Sequence, residues 1–119
     1  EMDGNSLAAA KACALETGIE NLNFKKCRAE VMDFQELQNL GNYDFSTLLL
    51  DPPRAGLSDS AREMSSNFDR VIYISCNPRT LARDLAFMNP SKLRIQRACL
   101  FDQFPWTDHV EVALHLSKS

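Results

Sequence analysis

Four residues with chemical potential stand where apolar runs give way to polar ones. Asp51 follows "STLLL", Arg54 comes three residues later in "DPPRAGL", Cys76 follows "VIYIS", and Glu111 interrupts "HVEVALHL". An ionised thiol is a nucleophile, and a carboxylate beside it can accept a proton in the same reaction. Cys76 lies in "YISCNPRTLARDL", at a strand-to-helix corner where chains usually place Gly, Ser or Asp. A helix beginning near Arg79 turns its positive end toward that corner and favours a thiolate. A small buried thiol is the competing reading, and these residues alone leave the two level. Asp51 is the obvious polar group of a loop stiffened by two prolines, although it could instead cap the helix beyond. Glu111 lies between Val110 and Val112 and so faces away from both; a solvated strand carboxylate is its ordinary role. Arg54 and Arg79 flank these loops and suit either a phosphate or plain solvent. Cys13, Cys27 and Cys99 read as small core residues. His109 and His115 carry no metal-ligand spacing and read as surface or packing residues.

The elements that must position these groups follow from periodicity. Residues 5–17 are Ala-rich and helical, with Asp3 or Asn5 as cap and Gly18 followed by Ile19 as the stop. Residues 21–28 alternate like a strand near a sheet edge, and 31–40 read as a short helix ended by Gly41. The apolar run 45–50 suits a parallel strand covered on both faces. A helix capped by Ser58 or Asp59 leads to a buried strand at 70–75 and a helix at 79–88. Two strands, 92–101 and 109–116, end the chain, with too few residues between them for a crossover helix, so they should pair antiparallel.

Alternating helices and strands predict an α/β fold built as one domain, residues 1–119, on a mainly parallel sheet with an antiparallel last strand. Ligands in such sheets bind at the carboxyl ends of the parallel strands. Asp51 and Cys76 fall on that edge, and so does the start of an antiparallel last strand, which brings Glu111 near them.

Composition narrows the function classes. The chain has 119 residues, 45% of them hydrophobic, and no apolar run of the roughly 18 residues that span a bilayer. Its four cysteines are scattered, without a C-x-x-C pair or a Cys/His cluster, which argues against zinc and against a disulfide framework and fits a reducing cytoplasm. A net charge of −3 means that a nucleic-acid partner would draw most of its electrostatic attraction from elsewhere.

Taken together, "DPPRAGL", "YISCNPRTLARDL" and "LFDQFPWTDHVE" resemble the S-adenosylmethionine-dependent RNA uracil-5-methyltransferases. The resemblance covers nearly the whole chain and is nearer to the transfer RNA branch, which methylates a T-loop uridine, than to the ribosomal RNA branch. D-P-P alone would be weak, since amino-methyltransferases carry a related loop; three motifs in order are specific. The resemblance implies that the Cys76 thiolate adds to uracil C6 and that Glu111 is the general base. It further implies that Asp51 contacts the donor, S-adenosyl-L-methionine, and that Glu1 holds the ribose hydroxyls of its adenosyl group. Arg54 would orient the target base, which must leave its stack.

The resemblance also implies a departure. The chain begins on Glu1, where the family would already have passed its first two strands, its Gly-rich donor loop and its amino-terminal RNA-binding region. It should therefore form a partial Rossmann-like methyltransferase sheet, the carboxyl-terminal part of a catalytic domain, and be inactive alone. The same chemistry on 23S ribosomal RNA and a noncatalytic RNA-binding remnant are the alternatives.

Overall fold

The computed structural model describes residues 1–28, 33–39, 41, 43–88 and 93–119. The chain divides into two compact units, residues 1–32 and 33–119.

In the first unit, α1 spans Gly4–Glu16 and starts where the Asp3 carboxylate accepts the amides of Asn5 and Ser6. It stops at Gly18, whose φ of 69° is costly for a residue with a β-carbon. The Ile19 amide donates to the Ala14 carbonyl at 2.9 Å and the Gly18 amide to that of Leu15 at 3.2 Å, the paired bonds of a Schellman stop. Residues 21–28 do not form the expected strand: they are irregular, with bends at 21 and 27, and belong to no sheet among the described residues. Alternation selects a face, but a strand exists only where a partner completes its ladder. Cys13 is exposed and Cys27 half-buried, so neither is the core residue its type suggests.

The second unit holds a four-stranded sheet. Its elements are α2 (Phe34–Gln38), β1 (Thr47–Leu50), α3 (Asp59–Ser65), β2 (Arg70–Ser75), α4 (Pro78–Phe87), β3 (Leu93–Phe101) and β4 (Glu111–Lys118). Part of the helix expected over 31–40 lies outside the described residues; α2 begins where Asp33 accepts the Glu36 amide at 2.6 Å. Ser58 caps α3, while Asn77 caps α4 with Pro78 in its first turn, where a missing N–H costs nothing. The strand order is β1-β2-β4-β3, with β1 and β2 parallel and both contacts of β4 antiparallel, as expected for the last two strands.

Val71, Tyr73, Leu114 and Leu116 form the inner face of the sheet and pack with Leu57, Ala61, Phe68, Leu81 and Met88. Phe34 meets Phe68 edge to face at 5.1 Å. Within this unit α3 and α4 supply Ala61 and Leu81 to that core, and Phe34 and Leu37 of α2 pack against it. Leu49 and Ile72 on the other face are 64% and 40% exposed, unlike the two-sided burial that the apolar run suggested. Cys99 is exposed as well, on a β3 position paired with Ala113, and is not a core residue.

Candidate active site

Asp51, Cys76 and Glu111 meet at the carboxyl edge of β1 and β2. β4 begins at Glu111 itself, two residues later than expected, because His109 is drawn into the loop by its own contacts. Its register on β2 pairs Val112 with Ser75. Continued by one residue, the register sets Cys76 across from Glu111. Asp51 follows directly on Leu50, the last residue of β1. An open hollow of about 410 Å³ is lined by Asp51, Ile74, Phe101, Gln103, Glu111 and Ala113. Its walls carry two carboxylates and no cationic side chain, a donor set suited to a positively charged ligand. Cys76, half-buried, follows Ser75 at the end of β2, two residues after Ile74 of the hollow's wall and next to the Asn77 cap of α4.

The loop between Asp51 and α3 is fastened to one side of α4. Its turn closes through the Gly56 amide and the Pro53 carbonyl at 2.8 Å. The Arg54 carbonyl accepts from Asn77 Nδ2 at 3.1 Å and from Thr80 Oγ1 at 3.2 Å. Arg83 Nη2 donates to the Ala55 carbonyl at 2.8 Å, and Asp84 Oδ2 accepts the Leu57 amide at 2.8 Å. Residues 77, 80, 83 and 84 fall on one stripe of a helix, so a single surface of α4 holds three loop residues, Arg54, Ala55 and Leu57. Asn77 also accepts the Arg79 amide, so the residue that caps the helix beside Cys76 grips the loop as well. Gly56 lies at φ 78°, and a β-carbon there would stand 2.5 Å from Asp84 Oδ2.

Asp84 is fully buried, yet it is charged. Burial raises its pKa, but bonds from the Leu57 amide, Tyr73, Arg83 and Arg62 outweigh that effect and hold it below its ordinary value. Tyr73 donates its hydroxyl at 2.6 Å, and Arg62 and Arg83 pair with Oδ1 at 2.9 and 2.8 Å. The phenol is correspondingly pushed far above its ordinary range, first by burial and then by the Asp84 charge. Arg62 also pairs with Asp59 and lies 4.4 Å over the Phe87 ring. Sequence reasoning missed this cluster. The sequence showed only a helix at 79–88, and the one available signal was an aspartate, Asp84, on the stripe that carries Leu81.

Arg54 Nη2 donates to His109 Nδ1 at 2.5 Å, which joins the first loop to the one before β4. His109 is therefore a rim residue, beyond the surface or packing role its lack of metal spacing suggested. Glu1 belongs to the first unit, where it is exposed and its carboxylate accepts the amides of Asp3 and Met2 at 2.7 and 2.6 Å. Those amide bonds, Asp3's first, lower its pKa.

This arrangement is a methyltransferase fold. An rRNA methylase from Streptococcus thermophilus superposes with a TM-score of 0.69 over 99% of this chain and 70% of that one, at 11% identity, a likeness of fold alone. The tRNA (uracil-54, C5)-methyltransferase of Pyrococcus abyssi, solved with S-adenosyl-L-homocysteine, superposes with a TM-score of 0.79 at 25% identity, over 98% of this chain and 27% of that one. The model of the tRNA (Uracil-5-)-methyltransferase family matches residues 1–119, and the chain belongs to that family. Among curated relatives, the tRNA/tmRNA (uracil-C(5))-methyltransferase of Nitratiruptor is 40% identical over 99% of this chain and 35% of its own length. That of Sulfurovum is 46% identical over 93% of this chain and 32% of its own. The chain thus spans about a third of the length of the relatives it matches.

Proposed function

We propose that these residues form the part of a transfer RNA uracil-5-methyltransferase that supplies its nucleophile and its base, with a T-loop uridine as target. The observation that carries this reading is the β2–β4 register, which ends at Ser75 and Val112, one residue short of Cys76 and Glu111, beside a hollow that Asp51 and Glu111 both line. Both units would belong to one catalytic domain, working in the cytoplasm, where free thiols stay reduced.

Uracil C5 is a weak nucleophile. Addition of the Cys76 thiolate to C6 makes an enolate, and C5 becomes electron-rich. Bound S-adenosyl-L-methionine supplies the electrophilic methyl group that C5 receives. Glu111 then takes the C5 proton, the C5–C6 double bond re-forms, and the thiolate leaves. Asp51 suits the cationic donor, because the hollow it lines holds carboxylates and no competing cation. Glu1 is the proposed partner of the donor's ribose hydroxyls. Arg54, held by its carbonyl and by His109, is placed to orient the flipped base.

The test is methyl transfer by the full-length protein to unmodified transfer RNA, with the product digested to nucleosides. Wild type should yield 5-methyluridine. Glu111→Gln should lower the rate about 10²- to 10⁴-fold, the usual contribution of a positioned base. Wild-type protein that binds both donor and transfer RNA yet forms no 5-methyluridine would refute the reading, and methylation of ribosomal RNA instead would move it to the other branch.

A further inference from the structure

The loop between β3 and β4 contains a backbone conformation that its sequence does not favour. The Thr107 amide donates to the Phe104 carbonyl at 3.2 Å, closing a turn with Pro105 and Trp106 at its centre. Trp106 has φ 70° and is the described residue other than glycine with positive φ. Proline followed by a residue of positive φ is the pattern of a type II turn, whose third position normally takes Gly or Asn. A bulky side chain there is strained, and such strain persists at sites that use it.

Among the described residues none is recorded in contact with the indole. Trp106 is fully exposed, at 102% of its reference surface. The turn beneath it is nevertheless well fixed: Thr107 Oγ1 donates to the Phe104 carbonyl at 2.7 Å and accepts the His109 amide at 3.2 Å. Phe104 stands edge-on to the His109 ring at 6.4 Å, and His109 binds Arg54. The turn begins immediately after Gln103, a wall residue of the hollow that holds Asp51 and Glu111. A hydrogen-bonded turn thus carries an exposed aromatic face three residues after a wall residue of the hollow.

We propose that Trp106 is a stacking platform for an unpaired RNA base next to the target uridine, a reading that rests on the function proposed above. The indole stands beside a half-exposed Phe104, and Asp102, Gln103, Thr107 and Asp108 give the loop around it a polar character; a flat aromatic face in such a setting suits a nucleobase. The flanking aspartates repel phosphate, so the contact is with the base and not with the backbone. Its contribution to affinity is therefore independent of salt, whereas phosphate contacts weaken steeply as salt rises.

The experiment measures transfer RNA affinity and melting temperature in the full-length protein, for wild type, Trp106→Ala, Trp106→Phe and Trp106→Gly. Trp106→Ala should weaken binding about tenfold, by the same factor at low and at moderate salt, and Trp106→Phe should keep most of the affinity. Trp106→Gly should weaken RNA binding as much and raise the melting temperature by a degree or two, because the turn is relieved of its strain. Binding by Trp106→Ala within twofold of wild type would overturn the proposal. So would a lowered melting temperature in Trp106→Gly, which would mean that the indole is packed against the protein itself. If wild type binds transfer RNA but makes no 5-methyluridine, the catalytic reading fails while the stacking platform is still judged by these affinities. Absence of transfer RNA binding overturns both.

Discussion

Two loops border the same hollow and are held in opposite ways. The loop from Asp51 to Leu57 is bonded through Arg54, Ala55 and Leu57 to one stripe of α4, over a buried carboxylate with two guanidinium partners. The loop before β4 is held by its own Thr107 and Phe104 and touches the first through Arg54 and His109. The first carries Asp51 and Arg54 and lies against the helix that begins beside Cys76, so one helix fixes the backbone of this loop next to the proposed nucleophile. The second presents Trp106 at the cost of backbone strain. Groups that must meet at bonding distance are fixed from beneath, whereas a group that meets a mobile substrate is fixed only at its base.

This contrast can be broken most directly at Asp84. Asp84→Ala leaves Arg62 and Arg83 without their shared carboxylate and the Leu57 amide without its acceptor. It should cost about 3–5 kcal/mol of stability by denaturant unfolding, as removal of one partner of a buried pair does. A cost below about 1 kcal/mol would show that the 51–57 loop is no better anchored than the other.

Gly56→Ala sharpens the comparison without changing any charge. The new methyl group would meet Asp84 Oδ2, Arg83 Nη2 and Thr80 Cβ at 2.5, 2.7 and 3.1 Å, at a φ that disfavours alanine. We expect a loss of about 1–3 kcal/mol together with a lower methylation rate, since the loop must lift from α4. Trp106→Gly moves stability the other way, so the pair of glycine positions, one lost and one gained, distinguishes the two loops by sign.

The smallest effect is the acid limb. Asp84 titrates below its ordinary value of 3.8 in the folded protein, so its charged form stabilises the fold. That contribution is whole above the unfolded value, about 3.9, and is lost as pH falls through the folded one. The stability difference between wild type and Asp84→Asn should be constant above about pH 5 and shrink below about pH 4. A difference that grows on acidification would contradict the assignment of a charged Asp84.

Much of this was legible in the sequence. The bounds of β2, the Gly18 stop, the Ser58 cap and the antiparallel hairpin follow from local chemistry, and the edge rule for parallel strands brought Asp51, Cys76 and Glu111 together. The rest depends on tertiary context. Residues 21–28 have the alternation of a strand but no partner among the described residues. Asp84 and Arg62 read as solvated helix charges until the helices dock on the sheet. The bond from Arg54 to His109 links residues 55 positions apart, which no local pattern reveals.

The central claim is that Cys76 is the covalent nucleophile. The direct measurement incubates the full-length protein and methyl donor with transfer RNA bearing 5-fluorouridine, then looks by mass spectrometry for an adduct that survives denaturation. Fluorine at C5 cannot leave as a cation, so addition at C6 becomes permanent after methyl transfer. The account predicts an adduct that maps to a peptide containing Cys76 and disappears in Cys76→Ala. An adduct at another residue, or none when donor and RNA binding are both verified, would contradict it.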